Sequence, residues 1–270
     1  MTSAVGIPFN AESFVAPGSI VRRVWGDADA VLLVFAGAAA EFALNRAVDW
    51  LFFTGAIPSD PIGRLFRTAA YAQDIVFASC EAAAHALERI RAAHGAVEHW
   101  RGARIPDWAH RDVLYMLIDY SERAATLLDG ALSAAQREEL YDVFRRVGEG
   151  LAIPELPAAY AEWRLDRDRH MCRDLAFTAH TAELYARYRL QLGPWRYYLL
   201  RHLQAVLAPP LVRELLRLPR ARWPSVALRA YRSLRPLGVS RAARLALVPR
   251  EYLGQVRELD RGECGVRSAD

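Results

Sequence analysis

The chain has 270 residues, 53% hydrophobic and 24% charged, enough for one substantial core and ordinary for a globular protein. Its 35 basic residues are all arginine and face 31 acidic ones, a net charge of +4. The arginines are spread along the chain with no zinc-finger or RNA-reading pattern, which argues against a nucleic-acid partner. Three cysteines, Cys80, Cys172 and Cys264, stand far apart without a CxxC, so a reducing compartment is expected and a disulfide framework is not.

In chain order, the opening "MTSAVGIPFNAESF" lacks a basic stretch followed by an apolar run, so it does not read as a signal peptide, and the expected location is cytoplasmic. The most apolar stretch, residues 30–44, is shorter than the ~20 residues a membrane span needs and holds Glu41. It reads as a buried helix, and no stable membrane insertion is expected.

Helical periodicity then runs almost throughout, with strand signals sparse. Helices are expected over about 27–54, 61–77, 80–100, 109–130, 134–151, 157–190, 194–207, 209–217, 224–234 and 240–246, with prolines at many first turns. Ser133 followed by Gln136 forms a capping-box pattern. The tail after about 250 is polar and expected to be loose. The fold class is all-α, one domain.

The segment "SDPIGRLFRTAAY" reads as a capped helix carrying Arg64, Arg67, Thr68 and Tyr71 near one another. A single helix from 61 to 100 would be long for a globular protein, and Ser79 with Glu81 behind it makes a good N-terminus. A break at 78–79 makes an antiparallel hairpin. Arg64 lies fifteen residues before Ser79 and His94 fifteen after it, so the bend brings the imidazole to the Arg/Thr face. An unbroken rod would hold Thr68 and His94 roughly 39 Å apart. A neutral imidazole before an arginine-lined space suits a haem, whose iron takes a nitrogen and whose propionates take cations. The same spacing is also how a structural histidine looks.

Other candidates have bland readings beside functional ones. His99 and His85 point away from the His94 face, and His99 reads as surface. His170 reads as surface and His180 as core. Asp112 and Tyr115 either line a pocket or cap and pack. "PWRYYLLRHL" reads as aromatic core with snorkelling arginines, and Arg222–Trp223 as a weak membrane contact. A di-iron bundle needs paired Glu-x-x-His motifs, which the chain lacks; Glu81 and His85 are four apart and Asp107–His110 is isolated. No nucleophile elbow supports a hydrolase.

Four blocks, "GSIVRRVWGDADAVLLVFAGAAAEFAL", "SDPIGRLFRTAAYAQDIVF", "ERIRAAHGAVEHW" and "ALSAAQREELYDVFRRVGEGLAIPELPAAYAEW", together resemble the DUF2236 superfamily, which includes rubber oxygenase. The likeness covers about residues 18–218, and "IPDWAHRDVLYMLIDY" looks like the oxygenase branch. The resemblance implies an all-helical haem b oxygenase, with His94 as proximal iron ligand and Arg64 and Thr68 beside the haem. Arg67 falls where rubber oxygenase has a distal lysine; a guanidinium keeps the charge but cannot easily serve as a removable iron cap or base. Leu44 stands where many members have a histidine. Arg67, Asp112 and Tyr115 are the expected catalytic residues. The expected partners are dioxygen and a hydrophobic small-molecule substrate in a pocket lined from around 112–120 and 175–185, with a homodimer as a further expected partner. The alternative is a haem- or lipid-like-ligand-binding helical protein without redox turnover, or a non-redox enzyme of the same fold.

Overall fold

The computed structural model describes residues 13–53, 60–220, 230–235 and 239–260. Cys264, Arg222, Trp223 and the start of the helix expected over 224–234 lie outside them. Among the described residues there are helices, turns and two isolated bridges, and no strands. The chain forms an all-α, single-domain bundle.

The apolar run becomes α2 (Ala28–Phe42), capped by the Asp27 carboxylate, which accepts from the backbone N–H of Asp29 at 2.9 Å. It is buried nearly all round and forms the axis of the bundle, packed along α6 (Asp107–Asp129) and against α9 (Ala179–Leu207). The short α1 (Ile20–Trp25) precedes it and was not expected. Gly37 permits the close crossing: a Cβ there would stand 2.2 Å from the Tyr120 ring of α6.

The stretch expected as one helix over 27–54 breaks after Phe42 and resumes as α3 (Val48–Phe53). The one expected over 157–190 breaks likewise, into α8 (Tyr160–Asp174) and α9. The two breaks dock on each other. Arg46 donates its backbone N–H to the carbonyl of Asp174 at 3.1 Å, and Ala176 donates to Leu44 at 2.8 Å. Each break thus satisfies backbone groups that helix ends leave open. A Thr178–Thr181 capping box restarts the second helix. The expected stop before Pro194 is only a kink, with Gly193 at φ 73° inside α9.

The predicted break at 78–79 is present. α4 (Pro61–Val76) and α5 (Cys80–Arg101) are packed together, and the Ser79 hydroxyl accepts from Ala82 N–H at 3.2 Å. The Ser133–Gln136 capping box starts α7 (Ala134–Gly150) as predicted. Past the short α10 (Pro210–Leu215), the tail is not loose where it is described. After α11 (Val239–Leu247) it forms a 3-10 turn (Arg250–Tyr252) and α12 (Leu253–Glu258), with Tyr252, Val256 and Leu259 buried. The Gln73 amide donates to the carbonyls of Leu259 and Trp25, and Tyr252 donates to Asp60.

Beneath this packing lies an ion cluster. Arg167 of α8 is 1% exposed and reaches Glu41 of α2 at 2.5 Å and Asp119 of α6 at 3.3 Å. Burial disfavours the guanidinium charge, but the two carboxylates outweigh it and raise its pKa. Removing one partner of such a cluster strands the others unpaired in low dielectric. Arg167→Met is therefore expected to lower unfolding free energy by about 3–5 kcal/mol, read from urea denaturation. Gly37→Ala, which overpacks the α2–α6 crossing, is expected to cost about 1–3 kcal/mol in the same assay.

Candidate cofactor site

The start of α4 is fixed by one carboxylate. Asp60 caps the helix, its Oδ1 accepting from Gly63 N–H at 2.8 Å, from the Tyr252 hydroxyl at 2.9 Å and from the Gln191 amide at 3.3 Å. Burial alone would push its pKa up, but these donors and the charge of Arg67 hold it below the usual carboxylate range. Arg67 itself is exposed, 3.6 Å from Asp60 in an ion pair.

One face of α4 carries Arg64, Thr68 and Tyr71. Arg64 is half-buried, and among the described residues no carboxylate forms an ion pair with it. Burial and the neighbouring Arg67 charge lower its pKa, partly offset by Tyr71. The Thr68 hydroxyl donates to the carbonyl of Arg64 at 3.0 Å, within the helix, so it steadies that turn and keeps only acceptor capacity.

Across the hairpin, His94 of α5 comes close enough to Arg64 to feel its charge. Its ring lies 4.7 Å from that of His110 on α6, at 39°. Burial, then His110 and Arg64, push the His94 pKa down to about 4 against a partial pull from Glu98. The imidazole is therefore neutral at physiological pH, with a ring nitrogen lone pair available. Burial also lowers the His110 pKa, opposed by Glu98 and Asp107. Glu98 ties the turn between the two helices, accepting from Ile105 N–H at 2.7 Å. A neutral imidazole beside a half-buried cation without a carboxylate is a donor set that fits a haem: a nitrogen for iron and a positive charge for a propionate.

The structure brings His94 within electrostatic reach of Arg64, with Thr68 one turn along the same face of α4, and places Asp112 and Tyr115 elsewhere. On α6, Asp112 lies about 200° around the axis from His110. Asp112 and Tyr115 are both buried in a second cluster, facing α8. Asp112 receives a hydrogen bond from the Asn45 amide at 2.6 Å and pairs through its other oxygen with His170 Nδ1. Tyr115 donates to Asp166 at 2.7 Å, and burial with that carboxylate pushes its phenol pKa up, so it stays a donor. Asp174 lies 3.6 Å from the same His170 nitrogen. His170, expected at the surface, is 3% exposed. His180, expected in the core, is partly exposed, its ring 4.2 Å from that of Phe52. Docking of the 174–176 break against 44–46 turns His170 inward and leaves His180 at the rim.

An apolar cavity of about 430 Å³ lies on the far side of α4. Leu65, Phe66 and Ala69 of α4 line it, together with Phe35 of α2, Leu203 of α9 and Val248 near the C-terminus. It is not lined from 112–120 or 175–185, where the substrate pocket was expected. Those segments pack against α8 and α2 instead.

His110 and the His170 cluster were missed, though both leave a trace. His94 and His110 stand eight residues either side of Gly102, where α5 ends in a left-handed turn. Asp166, His170 and Asp174 recur every four residues, the spacing of one helix face.

Burial of neutral His94 has a pH signature. Unfolded, the ring takes a proton near 6.5; folded, only near 4. The unfolded chain then binds more protons between those values, so stability falls as pH drops from 6.5 towards 4. The urea midpoint is expected to fall over that window, with a smaller slope in His94→Gln and a smaller one still in His94→Gln/His110→Gln.

The family described as "ER-bound oxygenase mpaB/B'/Rubber oxygenase, catalytic domain" matches residues 22–239. Neither a curated protein nor a solved structure matches the chain. No helix among the described residues is long and apolar enough to cross a membrane. With most of its length matched, the chain belongs to the mpaB and rubber oxygenase catalytic-domain family, a family of oxygenases.

Proposed function

We propose that the protein is a haem b-dependent oxygenase acting on a hydrophobic small molecule. The observation that carries this reading is the neutral His94 imidazole beside Arg64. His94 would hold the iron through a ring nitrogen that needs no deprotonation at neutral pH. His110, tilted against it, would limit rotation of that ring. Arg64 would bind an anionic edge of the cofactor, and Thr68 would keep the Arg64 turn in place. The bound haem supplies the redox centre at which dioxygen is used.

Arg67 would offer a second cation at the outer edge, for an anionic substrate group or for polarising oxygen, once released from its exposed pair with Asp60. Asp112 and Tyr115 enter this reading through the position of α6, since their polar atoms face α8. The apolar cavity beyond α4 would take the substrate against its mostly aliphatic and aromatic lining.

The position of that cavity also favours a second reading, ligand binding without redox turnover, because α4 stands between it and His94. Oxygen consumption with candidate alkenes separates the two.

Purified protein reconstituted with haem is expected to show a Soret band. His94→Ala should abolish it, and His85→Ala, at an exposed position, should leave it unchanged. Absence of a band in the wild type, or a band indifferent to His94→Ala, would overturn the assignment.

A further inference from the structure

We propose that Asp112, His170 and Asp174 bind a divalent first-row transition-metal cation, which clasps α6 to α8. This site is separate from the one at His94 and does not depend on the haem reading.

Nδ1 of His170, one oxygen of Asp112 and one of Asp174 all lie within 4.8 Å of one another. All three residues are buried, at 3%, 2% and 4% exposure. Two ligands sit one turn apart on α8 and the third faces them from α6.

The charges around the ring call for a cation. Asp112, Asp166 and Asp174 surround one imidazole, at a short contact, 3.6 Å and 3.6 Å. The guanidiniums that offset them, Arg173 on Asp174 and Arg169 on Asp166, have 56% and 75% of their side chains in solvent, and among the described residues no guanidinium forms an ion pair with Asp112.

The hydrogen bonds at Nδ1 conflict. A carboxylate oxygen of Asp112 and the Nη2 donor of Arg173, at 3.2 Å, both approach this one nitrogen. A protonated nitrogen suits Asp112 and repels Arg173; an unprotonated one does the reverse. A cation on the lone pair resolves this. It takes Nδ1 and both carboxylates as ligands, and Arg173, which holds both oxygens of Asp174 without the cation, gives up that grip and turns outward into solvent.

The surroundings are those of a supported metal ligand. A ligating histidine typically presents its other nitrogen to a carboxylate, which fixes tautomer and orientation. Here Nε2 faces Asp166, and Asp166 is held by the Tyr115 hydroxyl at 2.7 Å. The non-ligating oxygen of Asp112 is held by Asn45 at 2.6 Å. The Tyr115 ring packs edge-on against the imidazole at 5.4 Å. One imidazole and two carboxylates suit Zn²⁺, Mn²⁺ or Fe²⁺ better than Mg²⁺ or Ca²⁺, which favour oxygen-only ligand sets.

The test uses untagged full-length protein stripped with chelator and titrated by calorimetry with Zn²⁺. One equivalent should bind saturably and raise Tm, and Mg²⁺ should give neither effect. His170→Gln and Asp174→Asn should each weaken Zn²⁺ binding at least tenfold without altering the Soret band of haem-loaded protein. Arg173→Ala removes the guanidinium that holds both oxygens of Asp174; with its helical circular dichroism unchanged as the check on folding, it should tighten binding several-fold by removing a competing charge. Co²⁺ should give visible ligand-field bands without a thiolate charge-transfer band, which separates this site from the exposed Cys172 nearby. No Zn²⁺ binding in the wild type, binding indifferent to His170→Gln, unchanged or weaker binding in Arg173→Ala, or a thiolate band would each overturn the proposal.

Discussion

The bundle is organised around a charge inside its most apolar helix. Glu41 sits fully buried in α2, and its burial is tolerable only because Arg167 crosses from α8 to meet it. Asp119 of α6 joins them, itself in contact with Arg123 and Arg164. Three helices are thereby fixed in rotation and in register, because a shift of one residue in any of them would leave a buried charge alone. Hydrophobic packing tolerates small slides; this cluster does not. Each of the two residue clusters on α6 takes its direction from that fixed rotation.

On α6, His110 is turned towards His94 and α5, while Asp112 and Tyr115 are turned towards α8. Residues only two apart in sequence therefore belong to different chemistries. α4 divides space in the same way, with Arg64 and Thr68 on one face and the cavity-lining Leu65, Phe66 and Ala69 on another. One side of that helix supplies charge and the other supplies an apolar enclosure.

Much of this was legible in the sequence because it depends on local rules. Ser79 and the capping-box residues Ser133 and Gln136 announce helix starts through their own side chains. Hairpin arithmetic about Ser79 carried His94 to Arg64. The stretch 30–44, read as a buried helix, is helical to Phe42 and buried along most of its length, Glu41 included. What escaped was non-local. The breaks at 43–47 and 175–178 arise because two distant segments bond to each other, and neither carries a proline to mark it. Mistaking 157–190 for one helix also reversed which of His170 and His180 is buried. Polarity alone misread the described part of the tail, where Tyr252, Val256 and Leu259 pack into the core.

The C-terminal segment has a consequence for biogenesis. Val248, Pro249 and Leu259 complete the wall of the apolar cavity, and Tyr252 and Leu259 tie down α4 through Asp60 and Gln73. A chain cut short before Val248 would leave the greasy wall of that chamber bare and the start of α4 unanchored at once, a surface that chaperones and proteases recognise.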